Sequence, residues 1–277
     1  MKGPGEEANP KTAKTTDFNS GAVAPRARYY LDLITVLTQK EMKVRYKSSF
    51  LGYLWSVANP LAFALVYWIA FKLIMRIQMK DYTLFLIAGL FPWQWFSNSV
   101  NASTTVFIGN SSIIKKVNFP RNAVPFALVL QDMIHFVLSI PVIVFFLLLY
   151  HKTPSLAWAA GLPVLLAIQL LITYGFSLML SSVNLFFRDM ERLVSILIAF
   201  IFYFTPVVYN ADMVPARFRH LIELNPLAPI MMSWRDLFLE GRLDLRYILI
   251  GFAYAFLFYL LGLAIYKKLS CKFAEIL

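Results

Sequence analysis

Chemistry-bearing residues are scarce in this chain, and each shortage removes a class of function. One cysteine, Cys271, stands alone in 277 residues, so an internal disulfide and a thiolate metal pair are both excluded. Three histidines, His135, His151 and His220, are scattered without metal-ligand spacing, so no metal site is expected. No GxxxxGK[ST] loop occurs, and the chain therefore has no phosphate loop for hydrolysing ATP. A G-x-S-x-G nucleophile elbow is also missing, as is any D-x-D pair of the kind a metal-dependent glycosyltransferase would use. The adjacent pairs Arg188-Asp189 and Arg235-Asp236 read as local ion pairs or caps rather than catalytic groups. Residues 1–27 are polar and lack the apolar centre of a cleavable signal; they are expected to form a disordered cytoplasmic tail. No internal repeat is evident, which argues against transporter folds built from duplicated halves.

Charge itself is thin. Only 15% of residues are charged and 59% are hydrophobic, against about 45–50% apolar in an ordinary soluble domain. Stretches 50–71, 82–114, 153–187, 193–211 and 247–266 contain no Asp, Glu, Lys or Arg, and 122–151 contains only Asp132. Each exceeds or approaches the roughly 20 helical residues needed to cross a bilayer. None alternates as barrel strands do, and a backbone in lipid must satisfy its own hydrogen bonds. The reading is an all-α polytopic membrane protein with six spans, at about 57–76, 83–110, 123–150, 162–187, 193–209 and 247–266. These make up a permease domain over 49–270, followed by a short tail at 271–277.

The net charge of +11 raises the possibility of nucleic acid, but its distribution excludes that partner. Six spans put both termini on one side, together with about 17 of the 26 basic residues. By the positive-inside rule that side is cytoplasmic. Arg76, Lys80 and the basic residues of 217–246 fall on the other side.

Ahead of the spans, 28–48 reads as an amphipathic helix at the cytoplasmic interface. Tyr30, Leu33, Ile34, Leu37 and Val44 share one face, while Lys40, Lys43 and Lys47 form a basic stripe. Glu41 interrupts the apolar face and is expected to pair with Arg45 one turn on. The run SSFLGYLWS then turns the chain into the bilayer as a short amphipathic helix, and Pro60 suits an early turn of the first span.

Polar groups inside the spans need partners. Gln94, Asn98 and Asn101 would be poor lipid-facing groups and should face other helices or a wet path. Asp132 and His135, three residues apart, are positioned to interact on one helical face. Between spans five and six, HLIELNPLAPIMMSW reads as short helices dipping into the membrane, a geometry tolerated where backbone is buried in protein or lines a cavity. Aromatic residues make up 16% of the chain and cluster at Trp93, Trp95 and Phe96 and again at Phe200, Phe202, Tyr203 and Phe204. Such rings stack on sugar faces while amides bond to sugar hydroxyls, so the composition suits a passage for an amphipathic glycan. The walls of a passage are present; a reaction centre is not.

The stretches RYKSSFLGYLWSVANPL, LIAGLFPWQWF, NSSIIKKVNFPR, LFFRDMERL, FTPVVY and LNPLAPIMMSWRDLFLEG occur in this order across about residues 28–270. In this order they resemble the membrane subunit of ABC transporters for polysaccharide export, the permease group that serves O-antigen, capsule and teichoic acid. The resemblance implies a homodimer in the bacterial inner membrane, with both termini cytoplasmic and two copies of a cytoplasmic ABC ATPase below it. That partner would bind ATP and Mg, leaving this chain without a cofactor. The substrate implied is a polyprenyl-diphosphate-linked polysaccharide. By the same resemblance Phe50, Tyr53 and Trp55 belong to a gate, and Trp93, Gln94, Trp95, Asn98, Phe200 and Tyr203 to the translocation path. Lys115, Lys116, Phe119 and Arg121 would form the coupling segment on the ATPase. The interface-helix cations Lys40, Lys43, Arg45 and Lys47 lie near the cytoplasmic mouth, where Lys43, Arg45 and Lys47 could receive a diphosphate. Two alternatives remain: a drug or lipid exporter of the same architecture, and a polytopic membrane enzyme using Asp132, His135 and Glu223.

Overall fold

The structure, a computed structural model, describes residues 23–47, 52–76 and 79–276, with the side chains of 23–27, 46, 53, 56, 220, 223, 274 and 275 left aside. Every regular element among the described residues is helical. The long elements are α1 (Val23–Tyr46), α2 (Trp55–Tyr67), α3 (Tyr82–Ser103), α6 (Ala123–Leu149), α7 (Ala157–Asn184), α8 (Met190–Phe204), α10 (Ala228–Glu240) and α11 (Leu245–Ser270). Short turns complete the set: α4 (Val106–Gly109), α5 (Ser111–Lys116), α9 (Arg219–Leu224) and α12 (Phe273–Ile276). Helix α1 starts ahead of the expected residue 28. Helix α2 is entered through a single 3-10 turn, Gly52–Leu54, and prolonged by a π-helical stretch, Trp68–Ile74.

Four stretches are long and apolar enough to cross a membrane: Val57–Ile74, Ala123–Leu149, Ala157–Asn184 and Leu245–Ser270. The expected second and fifth spans differ from these. Helix α3 stops at Ser103, where Ser103 Oγ donates to the Val100 carbonyl at 2.8 Å and Thr104 Oγ1 to the Asn101 carbonyl at 2.7 Å. Such side-chain bonds compete with the helical ladder, and α4 and α5 carry the chain onward in separate turns. Helix α8 has 15 residues, about 22 Å of rise against a hydrocarbon core of about 30 Å.

The tightest helix pair is α7 with α11. A Cβ added at Gly262 would lie 2.4 Å from the Gly175 carbonyl oxygen, and one at Gly175 would lie 2.6 Å from the Phe258 backbone. Glycine at both positions lets the two backbones touch, the usual device for close packing of membrane helices.

Two apolar clusters fill the interior. The larger gathers α3, α6, α7 and α10 around Phe96, Phe136, Leu165 and Trp234. The smaller joins α1, α4, α5 and α12, with Leu37, Phe107, Phe119 and Phe273 buried together. Opposite the smaller cluster, Lys152 meets Asp81 at 3.1 Å, tying the α6–α7 connection to the start of α3. At the same end Gly241, with φ of 63°, closes α10 in the left-handed conformation that glycine adopts without strain.

The non-helical segment 205–208, which follows α8, is buried. Its backbone needs donors, because lipid offers none. Arg235 on α10 donates through Nη2 to the carbonyls of Pro206 at 2.7 Å and Val207 at 2.9 Å. Tyr82 donates to the Val208 carbonyl at 2.9 Å, and Asn225 to the Thr205 hydroxyl at 2.8 Å. Arg235 therefore acts at a distance in sequence, not as the local pair with Asp236 that adjacency suggested. Its guanidinium also lies 3.6 Å over the Phe85 ring, an attraction between cation and π face. Gln169 makes a second cross-link, donating to the Pro92 carbonyl at 2.7 Å and accepting from Trp234 Nε1.

Candidate functional site

Helix α1 packs on α6 through a face that apolar periodicity identifies only in part. Leu37 and Thr38 are buried, while Tyr30 and Val44, assigned to the same apolar stripe, are exposed. The inward face continues instead through Glu41 and Arg45, which find polar partners. Lys40 Nζ meets Glu41 Oε1 at 2.8 Å and also donates to Asn110 Oδ1. Asn110 Nδ2 returns to Glu41 at 3.4 Å. The expected Glu41–Arg45 pair is thus replaced by Glu41 with Lys40, because Arg45 is drawn to a carboxylate on another helix.

That carboxylate is Asp132. Arg45 Nη1 pairs with Asp132 Oδ1, and Ser99 Oγ donates to Asp132 Oδ2 at 2.8 Å. One acidic side chain, only 2% exposed, therefore joins α1, α3 and α6. Both carboxylate oxygens of Asp132 are engaged, by Arg45 and Ser99, and His135, expected on the same helical face, lines the adjoining cavity. A buried carboxylate needs a cation and a hydrogen-bond donor, and the first helix supplies the cation.

The ion pair opens onto a cavity of about 360 Å³ between α1, α2, α3 and α6. Arg45, Trp55, Asn59, Gln94, Asn98, Asp132 and His135 contribute to its wall. A second cavity, of about 310 Å³, lies between α2, α3 and α8 and shares Asn59, Gln94 and Asn98 with the first. Three side-chain amides thus stand between the two spaces. Across the second space Ser195 donates to Asn101 Oδ1 at 3.1 Å.

The sequence-derived path residues separate into groups. Gln94 and Asn98 line both cavities. Trp55, 51% exposed, lines the first. Trp95 also lines it but is held in place, its Nε1 donating to the Val129 carbonyl at 3.3 Å and its ring stacked 5.5 Å from Phe136. Trp93 and Tyr203 line the second cavity, with Trp93 packed 5.3 Å from Phe202. Phe200 is 60% exposed and lines neither. Phe50 lies outside the described residues, as does the Tyr53 side chain.

Among the interface cations, Lys43 and Lys47 are exposed, whereas Lys40 and Arg45 are committed to partners. Lys115 and Lys116 are exposed at the end of α5, Arg121 is half-buried, and Phe119 turns inward into the smaller cluster. Asn59, Ser99 and Ser195 went unnoticed in the sequence. The need of Asp132 for a donor was a signal, but nothing in the spacing selected Ser99.

Amides and a half-exposed indole around a space without net formal charge can bind a hydroxyl-rich ligand and hold it without covalent chemistry. Comparison with known proteins adds to this geometry. The sequence model of the ABC-2 type transporter family matches residues 32–239. The chain is 51% identical over 249 residues to an O-antigen export system permease protein RfbA of Klebsiella pneumoniae, covering 90% of this chain and 96% of that one. It is 35% identical over 217 residues to a protein of the same name from Myxococcus xanthus, covering 77% of this chain and 83% of that one. It is 24% identical over 261 residues to the polysialic acid transport protein KpsM of Escherichia coli, covering 87% of this chain and 96% of that one.

Proposed function

The chain belongs to the ABC-2 type transporter family, and on that premise we propose that it is the membrane subunit of an ATP-driven polysaccharide exporter. It moves a polyprenyl-diphosphate-linked, O-antigen-like glycan from the cytoplasmic to the outer face of the bacterial inner membrane. The observation that carries this reading is the 51% identity to an O-antigen export permease, which runs through 90% of this chain and nearly all of that relative. The same likeness makes this a permease, with ATP hydrolysis left to a separate subunit, and it retires the membrane-enzyme alternative.

The working assembly is a homodimer with two ATPase copies on the basic end. Six helices cross the membrane in each protomer, α3 and α8 joining the four apolar ones. Helix α1 lies at the cytoplasmic interface and α9 and α10 dip in from the outer side, with both termini cytoplasmic. A diphosphate and a hydroxyl-rich chain cannot cross hydrocarbon unaided, because stripping their water costs many kcal/mol. The amide-lined cavities beside Trp55 and Tyr203 offer replacements for that water. Lys43 and Lys47, exposed near the cavity-facing end of the interface helix, can meet a diphosphate.

Lys115 and Lys116 form the contact with the ATPase, and buried Phe119 anchors that segment to α1 through the smaller cluster. ATP-driven motion of the partner then reaches α1 and α6 as a rigid-body displacement. Replacing Lys115→Glu together with Arg121→Glu is expected to release the co-expressed ATPase in a detergent pull-down. Undiminished co-purification would remove the coupling assignment.

A further inference from the structure

Every group that carries formal charge on the first cavity's wall is used up within the protein. Among the described lining residues only Arg45 and Asp132 are so charged, and they are bonded to each other. The other polar groups on the wall include the amides of Asn59, Gln94 and Asn98 and the imidazole of His135, beside the half-exposed ring of Trp55. The volume, about 360 Å³, sits at the small end of ligand-sized pockets. Amides offer donors and acceptors alike, as ring hydroxyls require, and an exposed indole offers a face for sugar C–H groups.

Resting on the export reading above, we propose that this cavity is a sugar-unit subsite selective for uncharged residues, and that the Arg45–Asp132 pair sets this selectivity. Asp132 does so by quenching Arg45. A carboxylated sugar entering the space would meet a guanidinium already satisfied and a buried carboxylate of its own sign. An uncharged sugar meets neither obstacle and bonds to the amides. Removing the Asp132 charge leaves Arg45 exposed to the cavity as an unpaired cation, which reverses the preference. Arg45 is 32% exposed, so it stays hydrated in that variant and available to a ligand. Asp132 thus acts through Arg45, as a specificity-determining positioning residue.

The test uses the permease with its ATPase partner in nanodiscs and two trisaccharide probes, maltotriose and trigalacturonate, followed by ligand-observed NMR titration. The native complex is expected to bind maltotriose about tenfold more tightly than trigalacturonate. Asp132→Asn should raise trigalacturonate affinity about tenfold and leave maltotriose little changed. The double variant Arg45→Gln with Asp132→Asn, in which neither position is charged, should still bind maltotriose more tightly but by a smaller ratio than the native complex. It also keeps the test open if Asp132→Asn alone proves poorly folded by size-exclusion elution. Gln94→Leu should weaken maltotriose in every background. Equal affinities in the native complex, or a ratio untouched by Asp132→Asn, would overturn the proposal while glycan export continues. Loss of ATP-driven glycan export from the native complex would instead count against the function on which it rests.

Discussion

Arg235 and Arg45 both bring a positive charge into an apolar bundle, but Arg235 directs it at backbone carbonyls and Arg45 at a carboxylate beside open space. Around Arg235 there is no room: a Cβ at Gly89 would lie 3.0 Å from its Nη2. Its partners are the carbonyls of a buried non-helical segment, so its work is to let that segment exist away from water. Around Arg45 lies a cavity, and its partner holds three helices together at the cavity wall. The same side chain is scaffold in one place and part of a cavity wall in the other. What separates them is whether unfilled volume adjoins the charge.

The largest effect should follow from breaking the scaffold. Arg235→Met leaves the Pro206 and Val207 carbonyls without their donor, a loss of about 3–5 kcal/mol at the usual cost of unsatisfied buried groups. A thermal melt of the protein in detergent should show a sharp fall in midpoint, with little folded protein recovered. A near-native melt would mean that water or lipid reaches 205–208 after all.

The Arg45–Asp132 pair should break unequally. Arg45→Ala strands a carboxylate that is 2% exposed, with Ser99 as its remaining donor, and should cost about 3 kcal/mol. Asp132→Asn strands a partly exposed guanidinium and should cost about 1 kcal/mol. Equal losses in the same melt would contradict the burial difference between the partners.

The smallest change in stability belongs to the cavity wall. Gln94→Leu should leave the melt within about 0.5 kcal/mol yet reduce glycan export several-fold. Phe200→Leu, on an exposed face outside both cavities, should alter neither. If Phe200→Leu slows export as much as Gln94→Leu does, the path runs along the outer face of α8 instead.

Much of the architecture was legible because lipid imposes a coarse rule, about 20 apolar residues per crossing. The long helices α6, α7 and α11 follow directly from long apolar runs, of which that of α6 is broken only by Asp132. Helices α3 and α8 were harder, since hydropathy does not register where Ser103 and Thr104 bond back to the helix or where 205–208 leaves it. The site was legible in its residue types but not in its pairings. Gln94 and Asn98 were placed on a wet path because amides face lipid badly, and both line cavities. Glu41 and Arg45 were joined because they lie one turn apart, although Arg45 pairs with a distant carboxylate and Glu41 with its neighbour Lys40. Arg235 was matched to its neighbour for the same reason. Sequence spacing reports which groups can meet within one helix; it is silent on a partner 87 residues away.

The most direct measurement is transport itself, in proteoliposomes containing this permease and its ATPase with a polyprenyl-diphosphate-linked glycan in the outer leaflet of inside-out vesicles. The account predicts that the glycan becomes protected from an external glycosidase only when both subunits and ATP are present. Protection without the ATPase, or none with the complete system and ATP, would contradict it.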